Sequence, residues 1–128
     1  MRALATVLAL LLCVSVVSAG WVNQPVPTTL QPPGSANEDP AGTWTVEGAG
    51  TDIWGNSDQF HYLFWDEPLG DTFAISCHVV SFSGSPNAWA KAGLMARVAP
   101  AAGLPFAGPE TYAFCHVTNA NGTCLQYR

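Results

Sequence analysis

The sequence is poor in charged residues, and basic residues are the scarcest of them. Only 10% of its 128 residues are charged, and 4 Lys and Arg stand against 9 Asp and Glu, for a formal net charge of −5. Nucleic-acid binding depends on neutralising many phosphates with basic side chains, so this composition excludes a nucleic-acid partner. The low charge, together with 48% hydrophobic residues, also excludes a disordered chain.

Long apolar runs are missing as well, except at the start. Residues 3–17 are almost wholly apolar, follow Met1 and Arg2, and precede the small residues Ser18 and Ala19. This is the layout of a secretory signal peptide, and the run is shorter than the ~20 residues that span a bilayer. We therefore expect residues 1–19 to be cleaved, the protein to be secreted and extracellular, and the mature chain to have no membrane association.

Signatures of the common enzyme classes are also lacking. The chain has no Gly-x-Ser-x-Gly elbow, phosphate-binding loop or dinucleotide fingerprint. A glycosidase needs two facing acids, but the acidic residues do not alternate along one strand, and Asp66, Glu67 and Asp71 lie beside turn residues. We therefore predict no catalytic residues and no enzyme activity.

Turn-forming residues divide the remaining chain into two regions. Residues 20–42 are rich in proline and show no periodicity, which predicts an extended linker or a loose edge of the fold. After Gly42, short apolar runs separated by Gly, Pro, Asn and Asp predict strands at residues 43–47, 59–66, 72–83, 89–98, 110–118 and 123–128, with 52–55 as a further candidate. The pattern predicts an all-β, antiparallel sandwich over residues 43–128.

The cysteines and one sequon suit export. Cys13 leaves with the signal peptide, so the mature chain keeps Cys77, Cys115 and Cys124, an odd number. Because the secretory pathway favours disulfides, we expect one pair and one free thiol. The sequence does not choose between two possible disulfides, Cys115–Cys124 and Cys77–Cys115. Asn121 begins an Asn-Gly-Thr sequon, which predicts glycosylation and also a hairpin turn.

No metal site is assigned. Two Cys-His dipeptides, at 77–78 and 115–116, lie on predicted strands, where neighbouring side chains point to opposite faces and cannot share one zinc ion. Asp52, Asp58 and Asp71 supply oxygen ligands in predicted loops, which is chemistry suited to calcium. A turn role is the usual one for such residues, so we expect no cofactor and keep calcium as the alternative.

Polar residues on the predicted strands indicate a ligand-binding face. Alternate residues of a strand share a face, as Lys91 does with Arg97 and Gln126 with Arg128. An exposed tryptophan beside them could stack on a sugar ring. If the strands are neighbours, the predicted ligand-binding residues are Gln59, His61, Trp89, Lys91, Arg97, Gln126 and Arg128. The alternative is an ordinary solvated sheet face.

Several stretches resemble a known secreted module. They are GTWTV at 42–46, DIWG at 52–55, SDQFHY at 57–62, NAWAKAGLMAR at 87–97 and LQYR at 125–128. These stretches resemble poorly characterised sandwich domains of the concanavalin A-like lectin/glucanase superfamily, from about Gly42 to the last residue. The resemblance implies a jelly roll whose concave face meets glycans in several relatives, with no established catalytic residues.

The resemblance also implies that strands are missing. Domains of that superfamily continue beyond the Gln-Tyr-Arg strand, and a jelly roll uses about eight strands. We therefore expect an incomplete sandwich, truncated at the C-terminus, with an open sheet edge for a partner chain. The predicted function is a secreted, non-catalytic carbohydrate-binding module with a glycan ligand. The alternatives are a structural or protein-interaction domain and, third, a fragment of a glycoside hydrolase.

Overall fold

The computed structural model describes residues 20–128, so the expected signal peptide at residues 1–19 lies outside the described part. Residues 20–128 contain strands and turns but no helix, which confirms the all-β prediction. No helix in this part is therefore long and apolar enough to cross a membrane. The strands are β1 (Trp21–Val26), β2 (Ser35–Glu38), β3 (Trp44–Glu47), β4 (Ile53–Trp54), β5 (Ser57–Asp58), β6 (Phe60–Trp65), β7 (Lys91–Arg97), β8 (Tyr112–Thr118) and β9 (Thr123–Tyr127).

The strands form small antiparallel sheets rather than one continuous sheet. β1 pairs with β6, β2 with β3 and β4 with β5, while β7, β8 and β9 form a three-stranded sheet in that order. The predictions at 43–47, 59–66, 89–98, 110–118 and 123–128 are confirmed by β3, β6, β7, β8 and β9. These segments combine apolar alternation with a turn residue at each end, which is the pattern that predicts strands best.

Of the two alternatives for residues 20–42, the structure shows an edge of the fold and not a linker, because this segment supplies β1 and β2. β1 pairs with β6 along its whole length, from Trp21 opposite Trp65 to Val26 opposite Phe60. Pro25 lies within β1 and donates no hydrogen bond. β1 tolerates it because it has only one neighbour, so its other edge needs no donor.

The predicted strand at residues 72–83 is also wrong. Within residues 20–128 this segment has no strand partner and makes no backbone–backbone hydrogen bond. Its residues are exposed apart from Phe82, which is half-buried. The alternation does separate apolar from polar side chains, but a strand also needs a neighbour for its N–H and C=O groups.

The three-stranded sheet has one buried and one exposed face. On β8 the buried residues include Tyr112 and Phe114, and the residues between them face solvent. Ile53 of β4 packs with these two aromatic rings, and Phe60 and Met95 contact the same cluster. The core therefore lies between the buried face of this sheet and the chain from β4 to β6.

Candidate functional site

A buried carboxylate lies where three strands meet. Asp58 of β5 accepts hydrogen bonds from Arg97, at the end of β7, and from Arg128, directly after β9. The Arg97 Nη2–Asp58 Oδ2 distance is 2.7 Å, and Arg128 Nη2 is 2.6 Å from Asp58 Oδ1. The side chains of Asp58 and Arg97 are 0% exposed and that of Arg128 is 19% exposed.

Glu110 completes the charge balance of this cluster. Its Oε2 atom accepts a hydrogen bond from Arg97 Nη2 at 2.7 Å, so two guanidinium groups face two carboxylates. Burial acts to raise the pKa of Glu110, but hydrogen bonds from the Ala107 N–H, Arg97 and the Gly108 N–H outweigh it and lower this pKa to about 2. The cluster is therefore neutral as a whole, which is the condition for keeping such charges out of water.

A second polar cluster holds the β4–β5 hairpin. Lys91 Nζ donates to Asp52 Oδ1 at 2.6 Å, to the Ile53 carbonyl at 3.2 Å and to Gln126 Oε1 at 3.2 Å. The Gln126 amide donates to the same Ile53 carbonyl and to the Tyr112 hydroxyl. Lys91 and Gln126, which were predicted to bind a ligand, make these hydrogen bonds within the chain and hold the hairpin; ligand binding by them stays a prediction.

The hairpin presents one tryptophan to solvent. Trp54 pairs with Ser57, so Gly55 and Asn56 form a two-residue turn. Gly55 has a φ of +59°, as the first central residue of a type II′ turn requires. Trp54 is 68% exposed, and Lys91 Nζ lies 5.7 Å from its ring centroid. The ring is thus exposed but attached to an anchored turn.

A depression of about 280 Å³ lies beside this ring. It is lined by Trp54, Gly55, Tyr112, Gln126, Tyr127 and Arg128. A second depression, of about 310 Å³, has neither an aromatic nor a basic side chain in its lining, which is Pro32, Pro33, Gly34, Ser35, Glu47, Gly48 and Ala49. The smaller depression therefore combines the groups that bind polar ligands with an apolar face, and we take it as the candidate site.

Three predicted site residues lie elsewhere. His61 Nδ1 donates to the Pro33 carbonyl at 2.7 Å, and Gln59 accepts a hydrogen bond from Thr51. Trp89 is 58% exposed on the turn before β7. Gln59 and His61 could share a face with Lys91 only if β6 were a neighbour of β7 or β9. Among the described strands, β6 pairs only with β1. The single predicted face is therefore not formed.

The aspartates proposed for calcium have other partners. Both carboxylate oxygens of Asp58 accept from guanidinium groups, and Asp52 pairs with Lys91. Asp71 lies in the exposed segment after β6. Among residues 20–128 no group of three or more His, Cys, Asp or Glu residues could hold a metal ion. The sequence predicts Asp58 in an exposed loop, whereas its side chain is buried. The available indication in the sequence was that Arg97 and Arg128 had no assigned acidic partner.

The cysteines in the described chain are all free. Cys77 and Cys115 are exposed, and Cys124 is partly buried. Cys115 lies opposite Leu125, whereas Cys124 lies opposite His116, so Cys115 and Cys124 are on opposite faces of the sheet. Neither of the two open pairings, Cys115 with Cys124 or Cys77 with Cys115, is formed within residues 20–128.

The predicted turn at Asn121 is confirmed. The residues between β8 and β9 reverse the chain, and Gly122 has a φ of +72° there. Asn121 is exposed, and its amide nitrogen donates to the Ala88 carbonyl at 2.9 Å. Glycosylation of this residue stays a prediction.

Comparison with known proteins adds no assignment to this geometry. No protein-family description, curated protein or solved structure matches the chain.

Proposed function

We propose that the chain is a secreted, non-catalytic carbohydrate-binding module, and that its strands belong to a jelly-roll sandwich of the concanavalin A-like type. The resemblance of residues 42–128 to such domains supports the class of protein. The depression that combines the exposed Trp54 ring with polar side chains supports a carbohydrate as the ligand. The predicted cleavage after Ala19 supports secretion, and the N-terminal sequence of the exported protein tests it, with Gly20 expected as the first residue.

The exposure of the Trp54 side chain is the observation that carries this proposal. A ring of this size contributes most to stability when buried, yet 68% of this residue is exposed. Its turn is held by the hydrogen bonds of Lys91 and Gln126 to the Ile53 carbonyl, so the ring is pre-positioned. A sugar ring has an apolar C–H face that stacks on such a surface, and a pre-positioned partner loses little entropy on binding.

The polar residues around Trp54 have two different roles in this proposal. Arg128 is partly exposed and lines the depression, so its N–H groups can donate to hydroxyl or carboxylate oxygens of a ligand. Arg97 is fully buried and is a positioning residue, because it binds the same Asp58 that holds Arg128. The predicted binding role of Arg97 is thereby replaced by a supporting one.

The two acids of the buried cluster favour binding over hydrolysis. A glycosidase needs one carboxyl group that is protonated near neutral pH. The pKa of Glu110 is lowered to about 2, so Glu110 is not suited to act as the general acid. The side chain of Asp58 is 0% exposed and both of its carboxylate oxygens already accept hydrogen bonds from guanidinium groups, so it is not available to contact a substrate.

Affinity electrophoresis tests the proposal. The protein is run in native gels that contain β-glucan, xylan, galactomannan or pectin, and we expect retardation in at least one of them. Trp54→Ala should weaken binding about tenfold, which corresponds to ~1.4 kcal/mol. Trp89→Ala is the matched control, since Trp89 is a similarly exposed tryptophan outside the depression, and it should bind normally. If the folded protein is retarded by no polysaccharide, the proposal is wrong.

A structural or protein-interaction domain is the second candidate function. It is favoured by a different feature, the exposed apolar face of the three-stranded sheet.

A further inference from the structure

The sheet of β7, β8 and β9 has an outer face that is apolar and largely exposed. We define this outer face by the cross-strand row Leu94, Cys115 and Leu125, together with Ala113 and Val117. Leu125 is 71% exposed, Cys115 and Ala113 are exposed, and Leu94 and Val117 are half-buried. The solvent face of an antiparallel sheet usually carries polar residues, and a contiguous exposed apolar patch marks an interaction surface.

Residues 72–83, which we call the arm, carry the complementary pattern. Phe73, Ile75, Cys77 and Val79 alternate with smaller or polar residues, and Phe73 and Ile75 are 48% and 52% exposed. The arm has no strand partner within residues 20–128. It therefore has both an uncovered apolar side and unpaired backbone groups, although its sequence has the alternation of a buried strand.

We infer that two copies of the chain associate, with the apolar side of each arm covering the outer face of the other copy. A single two-fold rotation places the arm of each copy against the outer face of the other, so both surfaces are covered in both copies. This is the property of an isologous interface. Charge also permits this contact. The chain carries a formal charge of −5, but neither the arm nor the residues of the outer face include a charged side chain.

The two exposed thiols fall on the two surfaces that meet. Cys77 is near the middle of the arm, and Cys115 is at the centre of the outer face. The contact brings Cys77 of one copy towards Cys115 of the other. Cys124 lies on the opposite side of the same sheet and takes no part. Trp54 belongs to neither surface, and Tyr127 is the one residue lining the depression that has the side-chain parity of the outer face.

The molar mass in solution is the first test. Light scattering after size-exclusion chromatography should give twice the mass of the single chain. Leu125→Asp should return it to the mass of one chain while the far-ultraviolet circular dichroism spectrum stays that of the folded protein, because Leu125 is mostly exposed. Leu104→Asp is the matched control, since Leu104 is 63% exposed but lies outside both surfaces, and it should stay dimeric. A wild-type monomer at every concentration would overturn the inference.

Disulfide trapping is the second test and distinguishes a second copy from the chain's own arm. In a Cys124→Ser background, Cys77→Ser and Cys115→Ser proteins are mixed and treated with copper(II)–phenanthroline. Each of the two thiols loses a proton, and two copper(II) ions accept the two electrons as the S–S bond forms. We expect a covalent dimer in the mixture and a much weaker one in either variant alone. An internal Cys77–Cys115 disulfide in the unmixed Cys124→Ser monomer would show that the chain covers its own face, and would refute the inference.

Discussion

Replacement of Asp58 by alanine tests the buried ion cluster. The side chain is 0% exposed and accepts hydrogen bonds from Arg97, at the end of β7, and Arg128, directly after β9, which flank the same end of the three-stranded sheet from its two outer strands. Removal of the carboxylate leaves two guanidinium groups close together, with Glu110 as their single acidic partner among the described residues. The substitution therefore creates a cavity and an uncompensated positive charge at the same place.

The size of the effect follows from these contacts. Three charge-assisted hydrogen bonds join Asp58 to the arginines, at 2.6, 2.7 and 3.0 Å. Loss of one partner from a buried ion pair costs about 3–5 kcal/mol. Arg128 is partly exposed and water can replace some of its contacts, so we expect a loss of about 3 kcal/mol. Asp58→Asn, which keeps the volume and an acceptor, should cost less than Asp58→Ala.

Urea unfolding followed by tryptophan fluorescence measures this loss. Glu67→Ala is the control, because Glu67 is an exposed acid outside the cluster and should change the free energy of unfolding by less than about 0.5 kcal/mol. A double-mutant cycle with Arg97→Met then separates the pair from the cavity. If Asp58→Ala costs no more than the Glu67→Ala control, the cluster does not hold the strands together as described.

Three further predictions concern stability. Gly93→Ala should cost about 2 kcal/mol in urea unfolding, since a Cβ atom there would collide with the backbone of Cys115 and His116, whereas Gly70→Ala has open space and should cost much less. The pKa of Glu110 is about 2 in the folded state against an ordinary 4.5, so stability should fall as pH drops from 4.5 towards 2. Glu110→Gln should make the melting temperature less dependent on pH in this range. An unchanged pH dependence in the variant would contradict the role of Glu110. Burial, and then the charge of Lys91, lowers the pKa of His116 from 6.5, so the protein should lose stability as pH falls below that value. His116→Phe should remove this loss and raise stability at neutral pH, since both ring nitrogens of this buried histidine lack partners in the described chain.

The strands that the sequence predicts best are those with a local signal. β8 and β9 are joined by a turn at Asn121-Gly122; β8 alternates buried with exposed residues, and β9 alternates half-buried with exposed ones. Their pairing needs only a short reversal of the chain, so propensity and turn chemistry are enough to predict it. β1 was missed because its proline argues against a strand, although an edge strand with one neighbour tolerates it.

The candidate site was harder to predict because its contacts are distant in sequence. Asp58 is 39 residues from Arg97 and 70 residues from Arg128, and it lies on a strand of only two residues. Side-chain parity placed Arg97 and Arg128 correctly on the same face as Lys91 and Gln126. Parity does not show what covers that face, and here the β4–β5 hairpin covers it and takes up their hydrogen bonds.

Glycan binding by Trp54 is the central claim, and the most direct measurement is the response of tryptophan fluorescence to polysaccharide. Titration of the native protein with the polymer that retards it should shift the emission in a saturable way. Trp54 is itself the fluorophore at the site, so Trp54→Ala should lose the saturable shift as well as about tenfold in affinity, whereas Trp89→Ala should keep the native affinity. A native response that persists in Trp54→Ala, or that is lost in Trp89→Ala, would contradict the account.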